Sequence, residues 1–201
     1  MKKKILTISR EFGSGGRTIA KEVADKLGFA YYDNELVTKI AEESGFDPEY
    51  VLKSGEEVKF SNPFLYNISI NTRMVHSQLS AENQLFVTQF NIIKRLAEEE
   101  SCVIVGRCSD YILRNRDDCL NVHIHAPMDF RADRIVRVYG ENDISPKKRI
   151  NDKDKKRKTY YEYYTDRTWG DSKNFHICLD SSVIGIENSI DFLINAMQID
   201  Y

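Results

Sequence analysis

The sequence predicts a three-layer α/β/α fold, a five-stranded parallel sheet covered by helices on both faces. Three observations carry that expectation. Short apolar runs alternate with helical patterns along the 201 residues. Such runs read as strands buried on both faces, which is what crossover helices produce. A glycine turn, Gly13-Ser14-Gly15-Gly16, links the first run to the first helical pattern. Hydrophobic content of 41% and charged content of 30% are ordinary for a globular chain of this length, which suffices for one full core.

The first strand is expected at residues 4–8, where Ile5, Leu6 and Ile8 form the apolar run. A helix follows, with Ile19, Val23 and Leu27 at helical spacing and Gly28 as its stop signal. Phe29 to Tyr32 is a short strand ending at Asp33, whose carboxylate could cap a helix over Asn34 to Glu43. Asp47-Pro48, Ser54-Gly55 and Asn62-Pro63 mark a less regular stretch from Gly45 to Gln78. A long helix is expected over Ser80 to Glu100, with Phe86, Phe90, Ile93 and Ala97 as its apolar stripe. Cys102 to Val105 is a buried strand ending at Gly106-Arg107. Leu120 to His125 is the next, leading through Ala126-Pro127 into a helix that carries Arg131, Arg134 and Arg137. Residues 145–168 are highly charged and rich in tyrosine. Phe175 to Leu179 is the last strand, and Ile186, Ile190, Leu193 and Met197 stripe the closing helix.

A net charge of −2 exerts no global pull on nucleic acid or anionic membrane, so neither is expected as a partner. No stretch approaches the ~20 apolar residues of a membrane span. The apolar run after Met1-Lys2-Lys3-Lys4 is too short for a secretory signal, and a cytoplasmic protein is expected. Cys102, Cys108, Cys119 and Cys178 show no C-x-x-C spacing and read as small hydrophobes. His123 and His125 alternate on one strand face without a third ligand type nearby, so a metal pair is not expected.

In doubly wound sheets, ligands sit beyond the carboxyl ends of the strands. Ser9-Arg10, Asp33, Gly106-Arg107 and Asp180 all fall at that edge. The segment from Ile8 to Thr18 places a glycine turn between a strand and a helix, where converging N–H groups and the positive helix end favour an anion. A standard phosphate loop reads G-x-x-x-x-G-K-[ST]. Here no lysine follows the last glycine.

These residues resemble the cytidylate kinase family of nucleoside monophosphate kinases, and more closely its divergent cytidylate-kinase-like branch. The family opening, approximately I-D-G-P-x-G-S-G-K-S-T-x-A-K-x-L-A-x-x-L-G-F-x-Y-x-D, aligns without a gap to ISREFGSGGRTIAKEVADKLGFAYYD. The strand ending VIVGR is similar to the family's G-R-D, Lys153-Asp154-Lys155-Lys156-Arg157 to its lid pattern R-D-x-x-R, and HICLDSS to its D-T-S. In this register Arg10 stands at the first loop glycine, Gly16 at the lysine, Arg17 at the first hydroxyl, Thr18 at the second, and Cys108 at the aspartate. Arginine can replace lysine as a phosphate-binding cation, and either Arg10 or Arg17 could do so. The branch tends to carry S-R-x-[FY]-G-S-G-G here, so the changes read as a variant loop.

The resemblance implies a P-loop NTPase fold over residues 1–201. Its core would be 1–33 and 80–201, with a helical acceptor-binding region at about 34–79 and a lid at about 143–168. It implies phosphate binding by Arg10, Gly13, Ser14, Gly15, Gly16, Arg17 and Thr18, and an acceptor phosphate contact by Arg107. Asp33 is either a helix cap or part of the acceptor site. Arg131 and Arg134 are either helix-surface charges or contacts to the donor nucleotide. Ser145 to Lys158 holds eight basic and two acidic residues. By itself that run reads as a solvated helix face or a nucleic-acid patch. By resemblance it is a lid whose Lys153 and Arg157, oriented by Asp154, reach the transferring phosphoryl. Together with Arg17 these three form the implied catalytic set. Tyr160, Tyr161, Tyr163, Tyr164 and Trp169 either stack a base or pack the lid on the body or on the second subunit of a homodimer. Phe60, Phe64, Tyr66 and Arg73 occupy the acceptor-base region but match no selective residue of the family.

The implied function is transfer of the γ-phosphoryl group of ATP, with Mg²⁺, to a nucleoside monophosphate, CMP being suggested by the family alone. Thr18 is the one residue left at a family metal position. The alternative is a nucleotide-binding sensor of the same fold without turnover, which the lysine-less loop and Cys108 favour.

Overall fold

The computed structural model describes residues 3–54 and 80–199. Its sheet has five strands, β1 (Ile5–Arg10), β2 (Ala30–Tyr32), β3 (Cys102–Val105), β4 (Cys119–His125) and β5 (Ile177–Asp180), in the order β2-β3-β1-β4-β5. Every pairing is parallel. Eight α-helical segments beyond the first complete the described chain: α1 (Gly16–Leu27), then α2 (Asn34–Ser44), α3 (Pro48–Ser54), α4 (Ala81–Glu99), α5 (Ser109–Ile112), α6 (Met128–Tyr139), α7 (Pro146–Thr165), α8 (Ser181–Ile184) and α9 (Ile186–Gln198).

Strand alternation sorts the core into two layers. Leu6, Ile8, Val103, Val105, Leu120, Val122 and Ile124 pack under α1 and α9 with Ile19, Val23, Ile190 and Leu193. Ile5, Cys102, Ile104 and Cys119 face the other way, against Leu36 and Ile40 of α2 and Ile92, Ile93 and Leu96 of α4. That second face turns polar towards the carboxyl edge. Thr7 Oγ1 donates to Asn121 Oδ1 at 2.7 Å, and Ser9 Oγ lies 3.1 Å from His123 Nδ1. Burial beside His125 lowers the His123 pKa to about 4, desolvation being the larger cause.

β1 runs two residues beyond the expected end, because Ser9 and Arg10 continue the ladder opposite His123 and Ile124. The loop therefore starts at the rim of the sheet. Asp47-Pro48 opens a helix, α3, rather than an irregular turn. Asp47 Oδ1 accepts from the N–H groups of Glu49 and Tyr50 at 2.8 and 3.3 Å, and Pro48 sits where a helix has no use for an N–H. The rest of the acceptor region, with Phe60, Phe64, Tyr66 and Arg73, lies outside the described residues.

The charged segment 145–168 contains one continuous helix, α7, begun by Pro146. Only its last third carries a run of buried aromatics. Tyr160, Tyr161 and Tyr164 form a third cluster with Phe86 and Cys108, and the Tyr164 and Phe86 rings stack at 4.0 Å. The tyrosines thus pack the helix onto α4.

Candidate phosphate-binding cleft

The glycine loop leaves β1 at Arg10 and enters α1 at Gly16. Gly13 and Gly15 have φ of +87° and +85°, the left-handed region that disfavours any side chain. A Cβ on Gly13 would also lie 2.8 Å from Ile135 Cγ2 and 2.9 Å from the Arg131 carbonyl. Ser14 closes the turn, its N–H and hydroxyl both donating to the Glu11 carbonyl at 3.3 and 2.9 Å. Ser181 Oγ, at the start of α8, donates to the Ser14 carbonyl at 2.6 Å and so ties the loop to the end of β5. The first turn of α1 then presents its N–H groups to the cavity, as an anion requires.

The cavity is a cleft of about 580 Å³ beyond the carboxyl edge of the sheet. Arg10, Gly13, Gly15, Gly16, Arg17, Asp33, Arg107, Arg134, Lys153 and Arg157 line it, so most of the sequence-predicted residues meet in one place. Ser14 and Arg131 stand behind the lining as buried groups, with Asp154 beside them. Thr18 lies outside the lining, its hydroxyl accepting from Arg134 Nη2 at 2.9 Å.

Two carboxylates hold the arginines around the loop. Asp33 does not cap α2 through its side chain. It pairs instead with Arg17 at 2.5 Å and stands 3.9 Å from Arg10. Asp154 of α7 accepts the Phe12 N–H at 2.7 Å, pairs with Arg131 at 2.5 Å and lies 3.9 Å from Arg157. Arg131 in turn donates to the carbonyls of Ala126 and Phe12 at 2.8 and 3.2 Å and faces Glu11 at 3.3 Å. Arg157 Nη1 donates to the Arg10 carbonyl at 3.2 Å. The lid-like helix is thereby docked directly on the loop.

Beside the loop, at the end of the neighbouring strand, lies the turn after β3. Gly106, Arg107 and Cys108 have φ of +72°, +57° and +56°, an unusual left-handed run with two non-glycine members. Backbone strain of that kind concentrates at functional sites. Gln89 Nε2 pins the turn by donating to the Arg107 carbonyl at 2.8 Å. Asp110, two residues on, is 3% exposed and accepts from Tyr161 Oη at 2.8 Å. Burial raises its pKa to about 6, against the lowering effects of the Tyr161 hydrogen bond and Arg167.

Glu11, Asp110 and Ser181 were not singled out from sequence. Glu11 has a detectable signal, a charged residue inside a tight loop whose neighbours must be shielded from water. Asp110 carries a weaker one, an acid five residues after the end of β3 and just before the apolar Ile112-Leu113.

The cytidylate kinase-like family model matches residues 5–183. The chain belongs to the cytidylate kinase-like family. Cytidylate kinases of Methanopyrus kandleri and Archaeoglobus fulgidus are each 25% identical to it, covering 89% and 96% of this chain and 84% and 94% of their own lengths. Among solved structures, an uncharacterized protein from Eubacterium ventriosum is 26% identical with a TM-score of 0.71, covering 96% of this chain and 97% of that one. Shikimate kinase from Acinetobacter baumannii, in complex with shikimate, matches at a TM-score of 0.51 and 12% identity, over 96% of this chain and 92% of that one. At that identity the likeness carries the fold alone, a parallel sheet with its helices. Family membership and fold agree with nucleotide kinase activity in general, and no described helix is long and apolar enough to cross a membrane.

Proposed function

We propose that this chain is a cytoplasmic nucleoside monophosphate kinase, with CMP as the first acceptor to test. The observation that carries the reading is that the glycine loop, the Arg107 turn and a helix that offers Lys153 and Arg157 line one cleft. ATP would lie with its phosphates on the loop and the start of α1. The acceptor phosphate would sit near Arg107, with the acceptor base towards the region that begins at α2.

An oxygen of the acceptor phosphate attacks the γ-phosphorus in line, the bond to the β–γ bridging oxygen breaks, and ADP leaves. A phosphate oxygen needs little general-base help, so catalysis consists of positioning and of cations around the equatorial oxygens. Lys153 and Arg157 supply such cations from α7, acting as the lid, and Asp154 fixes their height by anchoring the helix to Phe12 and Arg131. The lid also excludes water from the transferring group.

Mg²⁺ fits this chain as part of the substrate MgATP rather than as a resident ion. The Thr18 hydroxyl is engaged by Arg134, and no group of three or more His, Cys, Asp or Glu among the described residues could hold a metal. Mg²⁺ characteristically keeps its waters and binds mainly through substrate phosphates.

A nucleotide sensor without turnover is the second reading, favoured by Gly16 at the lysine place and by the buried Cys108 thiol at the aspartate place. A coupled assay of ATP consumption against a panel of nucleoside monophosphates separates the two. The kinase reading expects stimulation by one monophosphate, lost in Arg157→Ala. ATP binding that no monophosphate converts into ADP production would sink it in favour of the sensor.

A further inference from the structure

The loop lacks a lysine at Gly16 for a steric reason that lies at the other end of the loop. Gly16 does not have the left-handed backbone of Gly13 and Gly15, and it opens α1 in a conformation open to any residue. Space is what excludes a side chain. A Cβ there would lie 2.6 Å from Arg10 Cβ and 3.2 Å from Arg10 Cγ, with Ile124 Cβ at 3.5 Å behind it. The stem of Arg10 therefore crosses the first turn of α1, through the space from which a lysine at 16 would start.

The far end of Arg10 reaches the turn after β3, the strand paired beside β1. Its Nη1 fills the place of a Cβ on Gly106, and its Cζ is 3.2 Å from that position. Its side chain is 16% exposed and lines the cleft, with Nη2 3.9 Å from Asp33. The guanidinium thus extends from the loop to the neighbouring turn that carries Arg107, along the rim of the sheet. Arg17, the other arginine of the loop, is 51% exposed and lies 2.5 Å from Asp33.

We propose that Arg10 is the phosphate-contacting cation of this loop, and that Arg10 and Gly16 form one exchange in which the charge has moved from the end of the loop to its start. The pattern the chain resembles has glycine at the first position and lysine at the second, and each residue of that pair makes room for the other. This inference rests on the nucleotide reading and adds to it the residue that replaces the lysine. A guanidinium gives the exchange a chemical consequence, since its planar fork binds two phosphate oxygens at once where an ammonium binds as a point charge.

The test is isothermal titration with MgADP and with adenosine, supported by melting curves. Arg10→Met keeps the stem over Gly16 and removes the charge. It is expected to weaken MgADP by about ten- to a hundredfold, the range of a lost charge-assisted contact, while adenosine affinity and melting temperature stay within twofold and a few degrees. Gly16→Lys alone should also lose MgADP affinity, because its side chain meets Arg10. The double variant Arg10→Gly with Gly16→Lys should regain most of it by restoring the standard loop. Wild-type MgADP affinity in Arg10→Met overturns the inference alone, as does equal loss of MgADP and adenosine, which would mark a structural role. A wild-type chain that binds no MgADP overturns the nucleotide reading itself and this inference with it.

Discussion

Asp33 and Asp154 are two carboxylates with the same local arithmetic and opposite surroundings. Each has one arginine at 2.5 Å and a second at 3.9 Å, and each borders the glycine loop. Around Asp154 the near arginine is 7% exposed and is tied to two backbone carbonyls and Glu11, while the carboxylate also accepts a backbone N–H. Around Asp33 the near arginine is half exposed. A pair whose arginine is buried and tied to several backbone groups can be broken only at a large cost, whereas one whose arginine is half exposed costs less to break. The first holds the helix over the loop, and the second joins the loop to the end of β2.

The sharpest way to break this comparison is to remove the two acids in turn. Asp154→Ala leaves Arg131 buried without its closest counter-charge and is expected to lower stability by about 3–5 kcal/mol in chemical denaturation. A loss no larger than that of Asp33→Ala would mean that the two nodes do not differ.

The next effect concerns a third acid, buried with a tyrosine at hydrogen-bond distance. Asp110 faces Tyr161 of α7 and, farther off, Arg167, while Cys108 and Arg107 flank it on its own segment. Its folded pKa of about 6 is raised by burial above the ordinary carboxyl value. The folded state therefore holds the proton more tightly than the unfolded chain. The stability this gives is fully present below about pH 4 and is lost as pH rises through about 6. Asp110→Asn should remove that decline, so that melting temperatures of variant and wild type differ more at pH 8 than at pH 4. A difference independent of pH would refute the assignment.

The smallest effect is expected at Asp33. Asp33→Ala should change stability by less than Asp154→Ala does, because its closest partner is half exposed. A change as large as that at Asp154 would show that the loop arginines are locked in place.

Sequence reading reached the sheet and most of its helices because each strand centres on a short aliphatic run set between helical patterns. Val103 to Val105 and Leu120 to Ile124 have no alternative use for so many β-branched and aliphatic side chains. It also reached the loop, since the glycines there answer to backbone geometry that only they satisfy. What it could not reach is direction. Nothing in the order of residues tells that Arg131 points inward to Asp154, that Asp33 turns from α2 to Arg17, or that Arg10 lies over Gly16. Those outcomes are set by how side chains turn in space, within one loop for Arg10 and Gly16 and between separate segments for Arg131 with Asp154 and Asp33 with Arg17. The start of α3 was missed for a local reason, because Asp-Pro signals a turn and a helix start equally well.

The crowding between Arg10 and Gly16 also has an evolutionary reading. Two loops, one with glycine then lysine and one with arginine then glycine, are separated by intermediates in which the side chains either collide or leave the site without its charge. If Arg10 carries the charge, neither single replacement is expected to keep full function. The two positions are expected to change together or not at all, which makes the lysine-less loop a separate adaptive peak.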